Sequence, residues 1–475
     1  MTTFHIEQFG CRATQADGAA LQRQLLDRGC TTAPEAGRAD IVVVNTCTVT
    51  AAADAQARDA IRKIHAKNPA ASVIVTGCYA QRAPEELAAL PGVSWVVGNS
   101  HQPQIPHIID TLSLRGMPPS ADGFVPAAAL GSVVACNADP MSLERAPAKI
   151  LSGDIFEQTS FLAAPVLGGE ANHTRPVLKI QDGCNRRCSY CVIPFVRGQS
   201  RSLPPRHVLE EIRRLSEAGC REIVLSGINL GTYGRDLSPR LEFLDLLHDI
   251  LEETGVERLR ISSIEPLDVT QDFIALFAST ERMAQHFHMP LQSGSDRILA
   301  AMHRRYRAEH YARRVELIRE RLPHAAIGAD VIAGFPGETP ADHAATLAFI
   351  ERLPFTYLHV FSFSKRPGTR AASLANEVPP AILKGRAREL RSLGEKKSAA
   401  FYRGQSGRSL SVLTLRHTSR ADSAGWTPAI SSNYLQVRLP GAWPTNEMIR
   451  ARVFSGGAAH LDARPETTAG FSVER

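Results

Sequence analysis

No apolar run in this chain approaches the roughly 18 residues that a membrane-spanning helix requires. The opening residues, MTTFHIEQFG, lack the basic-then-apolar layout of a secretory leader. No internal repeat is evident, which sets solenoid architectures aside. These absences predict a cytoplasmic chain with no membrane partner. Thiols stay reduced in that compartment, and grouped cysteines there bind metal more often than they form disulfides.

What is present begins with length and charge. The chain has 475 residues, enough for two or three domains with real cores, and 44% apolar with 21% charged residues is ordinary for a globular protein. The net charge of +6 is unevenly placed. Residues 381–475 carry fifteen Lys and Arg against seven Asp and Glu, a net of +8 that leaves −2 for the rest. That asymmetry points to a polyanionic partner at the C-terminal end, with a solvated basic surface as the plainer alternative.

Hydrophobic patterning divides the chain into an expected 1–115 α/β domain, a 116–172 linker or insertion, a 173–400 barrel and a 401–475 small β-barrel. Strand-like runs at 4–9, 40–45, 72–77 and 94–98 alternate with helical stretches at 13–28, 51–66 and 83–89, which argues for a doubly wound parallel sheet. Residues 116–172 are rich in Ala, Pro, Gly and Ser and show no steady period. Alternation resumes with strand candidates at 175–181, 222–227, 258–263, 286–291, 327–335 and 357–364; six βα units suit a partial (β/α)6 barrel. A basic helix is predicted over 381–400, followed by short strands in SLSVLTL, NYLQVRL and MIRARVF.

Six of the nine cysteines fall into two groups of three. Cys184, Cys188 and Cys191 form a Cys-x3-Cys-x2-Cys loop directly after the first barrel strand. Such spacing lets one loop supply three thiolates to a [4Fe–4S] cluster, leaving one iron able to chelate an amino and a carboxylate group, as S-adenosylmethionine presents. Zinc is the competing reading, but it prefers four closed ligands, for which His173 or Cys220 would have to serve. Cys11, Cys47 and Cys78 each follow a predicted strand. Parallel sheets gather ligands at the carboxyl ends of their strands, so these three should converge on one edge. Cys30, Cys136 and Cys220 show no partner pattern and are expected to be structural.

The string Cys184-Asn-x2-Cys-Ser-Tyr-Cys-Val-Ile-Pro, ending in Arg197-Gly198, resembles the radical S-adenosylmethionine superfamily and, more closely, its methylthiotransferase branch. Matching strings include NTC (45–47), TGCYAQ (76–81), VVGN (96–99), LSGINLGTYG (225–234), SSIEP (262–266), HMPLQSGS (288–295), MHRRY (302–306) and DVIAGFPGE (330–338). The C-terminal β domain resembles the TRAM domain of these enzymes.

The resemblance implies two [4Fe–4S] clusters. The one on Cys184, Cys188 and Cys191 would reduce S-adenosylmethionine to a 5′-deoxyadenosyl radical. The one on Cys11, Cys47 and Cys78 would hold the sulfur to be methylated and inserted. No catalytic residue beyond the cluster ligands is expected. Candidate cofactor contacts are Tyr190, Gly227, Asn229, Ser263, Glu265, Gln292, Ser293, Asp330 and Glu338, each of which could instead be an ordinary packing or strand-end residue. His286 and His288 alternate along one strand, where packing and ligation are both open.

NTCTVT (45–50) and TGCYAQ are similar to the branch acting on N6-threonylcarbamoyladenosine 37 of tRNA. Its siblings act on N6-isopentenyladenosine 37 or on a ribosomal protein. The expected partners are a tRNA anticodon loop, an electron donor and a sulfur source. Arg403, Arg408, Arg416, Arg438, Arg450 and Arg452, with Trp426 and Tyr434, would suit RNA backbone contact and base stacking. Two readings outside this activity are a zinc-stabilised RNA-binding protein and a radical enzyme whose second cluster only passes electrons.

Overall fold

In a computed structural model of the chain, residues 2–115, 147–159, 161–162, 164, 174–416 and 425–466 are described. They form two compact units: Met1–Leu162 with Phe195–Arg197, and Ala163–Pro194 with Gly198–Arg475.

The first unit is a six-stranded parallel sheet. Its strands are β1 (Thr3–Gln8), β2 (Thr31–Thr32), β3 (Ile41–Thr46), β4 (Ser72–Gly77), β5 (Val93–Gly98) and β6 (Lys149–Leu151), in the order β2-β1-β3-β4-β5-β6. All six residues of β3 are buried, as a central parallel strand covered on both faces requires. Side chains alternate between faces: Val42, Val44, Val73 and Val75 pack with Ala57, Ile61 and Ile64 of helix Ala51–Lys67. Ile41, Val43 and Ile74 pack with Leu21, Leu25, Ile105 and Ile109 on the opposite side. Each such side chain, fully buried, contributes about 1.5–3 kcal/mol. The pairing of β6 with β5 draws part of the expected 116–172 linker into this sheet. Cys136, His173 and most of that segment lie outside the described residues.

The second unit opens with β7 (Val177–Lys179). A two-stranded pair, β8 (Gln181–Asp182) and β9 (Arg201–Ser202), closes the base of the cysteine loop. β10 (Glu222–Ser226) and β11 (Arg258–Ile261) join β7 in one parallel sheet, and β12 (His286–His288), β13 (Ala326–Ala333) and β14 (Tyr357–Ser362) form another. An isolated bridge pairs Leu259 of β11 with Met283, just ahead of β12, so the six strands of the expected partial barrel lie in two three-stranded sheets.

Period-two alternation gives these strands two unlike faces. Ile223, Leu225, Leu259, Ile261, Phe287, Ile327, Ala329 and Val331 join the helices in one apolar core. Among the alternate positions are the polar Glu222, Arg258, Arg260, His286, His288, Asp330, Tyr357 and His359. Buried Glu222 accepts from Arg258 Nε at 2.6 Å and Arg260 Nε at 2.7 Å. Burial pushes its pKa up, but the two guanidiniums outweigh that and hold the carboxyl well below its usual range.

Beyond helix Pro380–Arg403, β15 (Ser409–Thr414), β16 (Trp426–Ser431), β17 (Gln436–Pro440), β18 (Met448–Gly456) and β19 (Leu461–Pro465) close a five-stranded barrel. It docks on the same arginines: Arg258 donates to the carbonyls of Ser411 and Ile430, and Arg260 to those of Ser431 and Ser432. Tyr434 sits at this junction, half-buried. It packs 5.2 Å from the Arg260 guanidinium and 4.5 Å from the His286 ring. Arg438, Arg450 and Arg452 are ion-paired with Asp462, Glu281 and Glu466.

Candidate functional site

The first unit brings Cys11, Cys47 and Cys78 to the carboxyl ends of β1, β3 and β4, which are neighbours in the sheet. Cys11 caps helix Arg12–Asp27, Cys47 directly follows β3, and Cys78 opens the short helix Cys78–Arg82. Gly10 makes the convergence possible. Its φ is +103°, and a Cβ there would stand 2.4 Å from Cys47 Cβ and 2.9 Å from Cys47 Sγ.

Polar groups surround the sulfurs. Asn99 Nδ2 donates to Cys78 Sγ at 3.6 Å, and Cys11 Sγ lies 3.6 Å from Thr14 Oγ1. The buried Arg197 guanidinium pairs with Asp17 at 2.7 Å in the same unit. Burial pushes the Cys78 thiol up to about 12 and also raises Cys47, while Arg197 pulls both back. A bound cation would favour the thiolate form of such thiols.

The threonines of NTCTVT have local duties in this unit. Thr48 donates to Asp54 at 2.7 Å and accepts from Arg82, while Thr50 caps helix Ala51–Lys67.

In the second unit, Cys184, Cys188 and Cys191 lie on the loop between β8 and helix Ile193–Arg197. Gln181 fastens this loop: its Nε2 donates to the carbonyls of Asp182 and Gly183, and its Oε1 accepts from Asn229 N at 2.8 Å. Arg186 N lies 3.4 Å from Cys184 Sγ and Asn229 Nδ2 3.9 Å from it. Arg304 Nη1 donates to Cys188 Sγ at 3.6 Å, its Nη2 holds Glu265 at 2.5 Å, and its guanidinium stacks 4.9 Å from the Tyr306 ring. Burial drives the Cys191 thiol up to about 12 and raises Cys184.

Two residues that sequence reasoning passed over are therefore prominent. Arg304 sits inside the quoted MHRRY string, and Arg197 ends the cysteine-loop string, but neither position signals which sulfur it serves.

The other sequence candidates divide by partner. Asn229 and Glu265 reach the cysteine loop, directly and through Arg304. Gly227 follows β10 and Ser263 follows β11. Gln292 adopts φ +67° and its backbone N–H donates to the Asp330 backbone carbonyl at 2.8 Å. Ser293 meets Thr346, and Tyr190 packs on Ile298, Met302, Phe335 and Ala371. Glu338 accepts from Gly334 N and pairs with Arg386, organising the GFPGE turn. Asp330 faces two imidazoles, His288 and His359. Cys220, a possible fourth zinc ligand, packs instead against the apolar core, and Cys30 joins the core of the first unit.

Comparison with known proteins gives the family. Residues 3–98 match the family described as Uncharacterized protein family UPF0004, and residues 178–350 match the Radical SAM superfamily. The threonylcarbamoyladenosine tRNA methylthiotransferase MtaB of Aquifex aeolicus is 34% identical over 94% of this chain and 99% of its own length. The chain belongs to the radical S-adenosylmethionine methylthiotransferases.

Other relatives in the family include MtaB of Bacillus subtilis, 32% identical over 94% of this chain and 92% of its own. The tRNA-2-methylthio-N(6)-dimethylallyladenosine synthase of Sphingopyxis alaskensis is 32% identical over 98% and 97%. A solved radical S-adenosylmethionine methyltransferase, TsrM from Kitasatospora setae, shares the fold with TM-score 0.53 at 17% identity over 78% of this chain and 77% of that one. Radical S-adenosylmethionine enzymes of this kind use a [4Fe–4S] cluster and S-adenosylmethionine. The loop fits them: it offers three thiols with N–H donors and a buried cation beside the sulfurs, the surroundings that tune such clusters. Among the described residues, no helix is long and apolar enough to cross a membrane.

Proposed function

We propose that this chain is a cytosolic tRNA methylthiotransferase that inserts a methylthio group at C2 of N6-threonylcarbamoyladenosine 37, using two [4Fe–4S] clusters. The observation that carries the reading is the second triad. Cys11, Cys47 and Cys78 come from three separate strands yet share one sheet edge with Asn99 and Arg197 beside them. A protein needing one cluster has no use for that second construction.

When bound, the clusters and S-adenosylmethionine would supply reducing electrons, hydrogen abstraction from an unactivated carbon, and the sulfur. The chain's own residues hold and orient. Cys184, Cys188 and Cys191 would bind the cofactor's cluster, and Arg304 would place positive charge at Cys188. Tyr190, Gly227, Asn229, Ser263, Glu265, Gln292, Ser293 and Glu338 remain the candidates for holding the cofactor, whereas Asp330 is engaged by His288 and His359. Cys11, Cys47 and Cys78 would present the sulfur donor. The target base must stand in a loop, since a carbon stacked in a duplex is out of reach.

Support for the threonylcarbamoyl substrate comes from NTCTVT and from the two MtaB relatives. The dimethylallyladenosine synthases, at 29–36% identity, support a second reading with a prenylated adenosine. Nucleoside mass spectrometry of tRNA from a strain lacking this protein separates them. Loss of 2-methylthio-N6-threonylcarbamoyladenosine is expected. An unchanged level would sink the assignment, and loss of the methylthio-isopentenyl nucleoside would replace it. The electron donor and sulfur source are partners that this reading requires.

A further inference from the structure

The sulfur chemistry leaves one sequence feature unused, the alternating pair His286 and His288. Both sit on the polar face of β12, and the neighbouring strands bring Asp330, Tyr357 and His359 beside them. His288 Nε2 lies 2.9 Å from Asp330 Oδ1, and His359 Nδ1 lies 3.3 Å from the same oxygen. The three donor atoms are all within 4.8 Å of one another. Adjacent ligands on one ion with bonds of about 2.0–2.1 Å stand roughly 2.8–3.4 Å apart at octahedral to tetrahedral angles, so the two contacts to Asp330 have ligand spacing.

The surroundings are those of a supported site. The Tyr357 hydroxyl is 2.9 Å from His288 Nδ1 and 2.7 Å from His286 Nε2, so it braces the ring that turns Nε2 toward Asp330. Tyr357 reaches both imidazoles because Gly328 lies beneath it; a Cβ there would stand 2.0 Å from the tyrosine ring. Burial pushes the Asp330 pKa up, but the two imidazoles outweigh it and keep the carboxyl below its usual range. His288 is buried while the His359 side chain is 55% exposed, so the group has a rigid inner wall and an entrance.

We propose that His288, Asp330 and His359 bind one divalent transition-metal ion through two imidazole nitrogens and a carboxylate oxygen. That donor set suits zinc, ferrous iron or cobalt better than magnesium or calcium. The site shares no residue with either cysteine triad and does not depend on which nucleoside is modified.

The test uses full-length protein with its clusters reconstituted anaerobically, so that the cysteines are occupied. After incubation with Zn2+ and desalting, about one zinc per chain is expected in addition to the iron. Asp330→Asn and His359→Ala should lose that zinc at unchanged iron content. Tyr357→Phe should weaken it about ten- to hundredfold, the usual effect of removing an outer partner. Co2+ should give visible d–d bands without a sulfur charge-transfer band in the parent, and no such bands in His359→Ala. Because His359 is exposed, that variant is expected to keep the parent melting temperature. Absence of zinc beyond that held by His359→Ala overturns the proposal. So does zinc retained equally by Asp330→Asn and His359→Ala.

Discussion

The two cysteine triads are built in opposite ways. Cys184, Cys188 and Cys191 come from a single loop closed by β8 and β9, so backbone spacing alone brings the sulfurs together. Cys11, Cys47 and Cys78 span 68 residues and meet because β1, β3 and β4 are parallel neighbours. One site is local and survives modest changes in its scaffold. The other is a property of the whole sheet and of close approaches such as that of Gly10 to Cys47.

The sharpest way to separate the two is by cysteine removal. Both Cys78→Ala and Cys188→Ala should lower methylthio transfer by at least about a thousandfold, the scale of removing an essential group. Their partial reactions should differ. Cys78→Ala is expected to keep cleavage of S-adenosylmethionine to 5′-deoxyadenosine, whereas Cys188→Ala loses it, as product chromatography would show. Loss of cleavage in both would mean that the triads are not independent.

Glu222→Gln tests the barrel that carries the local site. It strands Arg258 and Arg260 in the interior, and breaking a buried pair costs about 3–5 kcal/mol. Denaturant unfolding should register that loss, while iron bound at Cys11, Cys47 and Cys78 stays. Gly10→Ala is the converse experiment. Positive φ and the 2.4 Å approach predict a cost of about 1–3 kcal/mol. Iron should fall by about four per chain, with S-adenosylmethionine cleavage retained.

Acid should act in a known direction on the barrel. The folded Glu222 carboxyl is held below its usual range, so its stabilisation is complete above about pH 4.3. It is lost as pH falls further, by up to about 1.4 kcal/mol per pH unit. Unfolding free energies measured between pH 5 and 3 should show this slope in the parent and a shallower one in Glu222→Gln.

The smallest effect is electrostatic. The Arg304 cation favours the reduced cluster at Cys188, so Arg304→Met should lower that cluster's potential by roughly 60 mV, a tenfold change in a one-electron equilibrium. Arg197→Met should leave it unchanged. An EPR-monitored redox titration reads both.

Much of the architecture could be read in advance because side-chain period and strand–helix alternation are local properties. They placed the parallel sheet, the six barrel strands and the C-terminal β-barrel. β6 escaped because three residues carry too little pattern to stand out from an irregular segment. The surroundings of Tyr434 were not legible for a different reason. Its composition suits base stacking, but its packing against Arg260 and His286 follows from how the C-terminal barrel docks.

The sequence by itself determined the cysteine loop, the strand–helix alternation and the membership in a chemistry, since each depends on short-range spacing or on strings of adjacent residues. The tertiary structure decided the rest. It set Arg197 among Cys47 and Cys78, gave Arg304 to Cys188, and brought positions 288, 330 and 359 onto one polar face. A period of two tells which face a residue takes; register between strands tells whom it meets there.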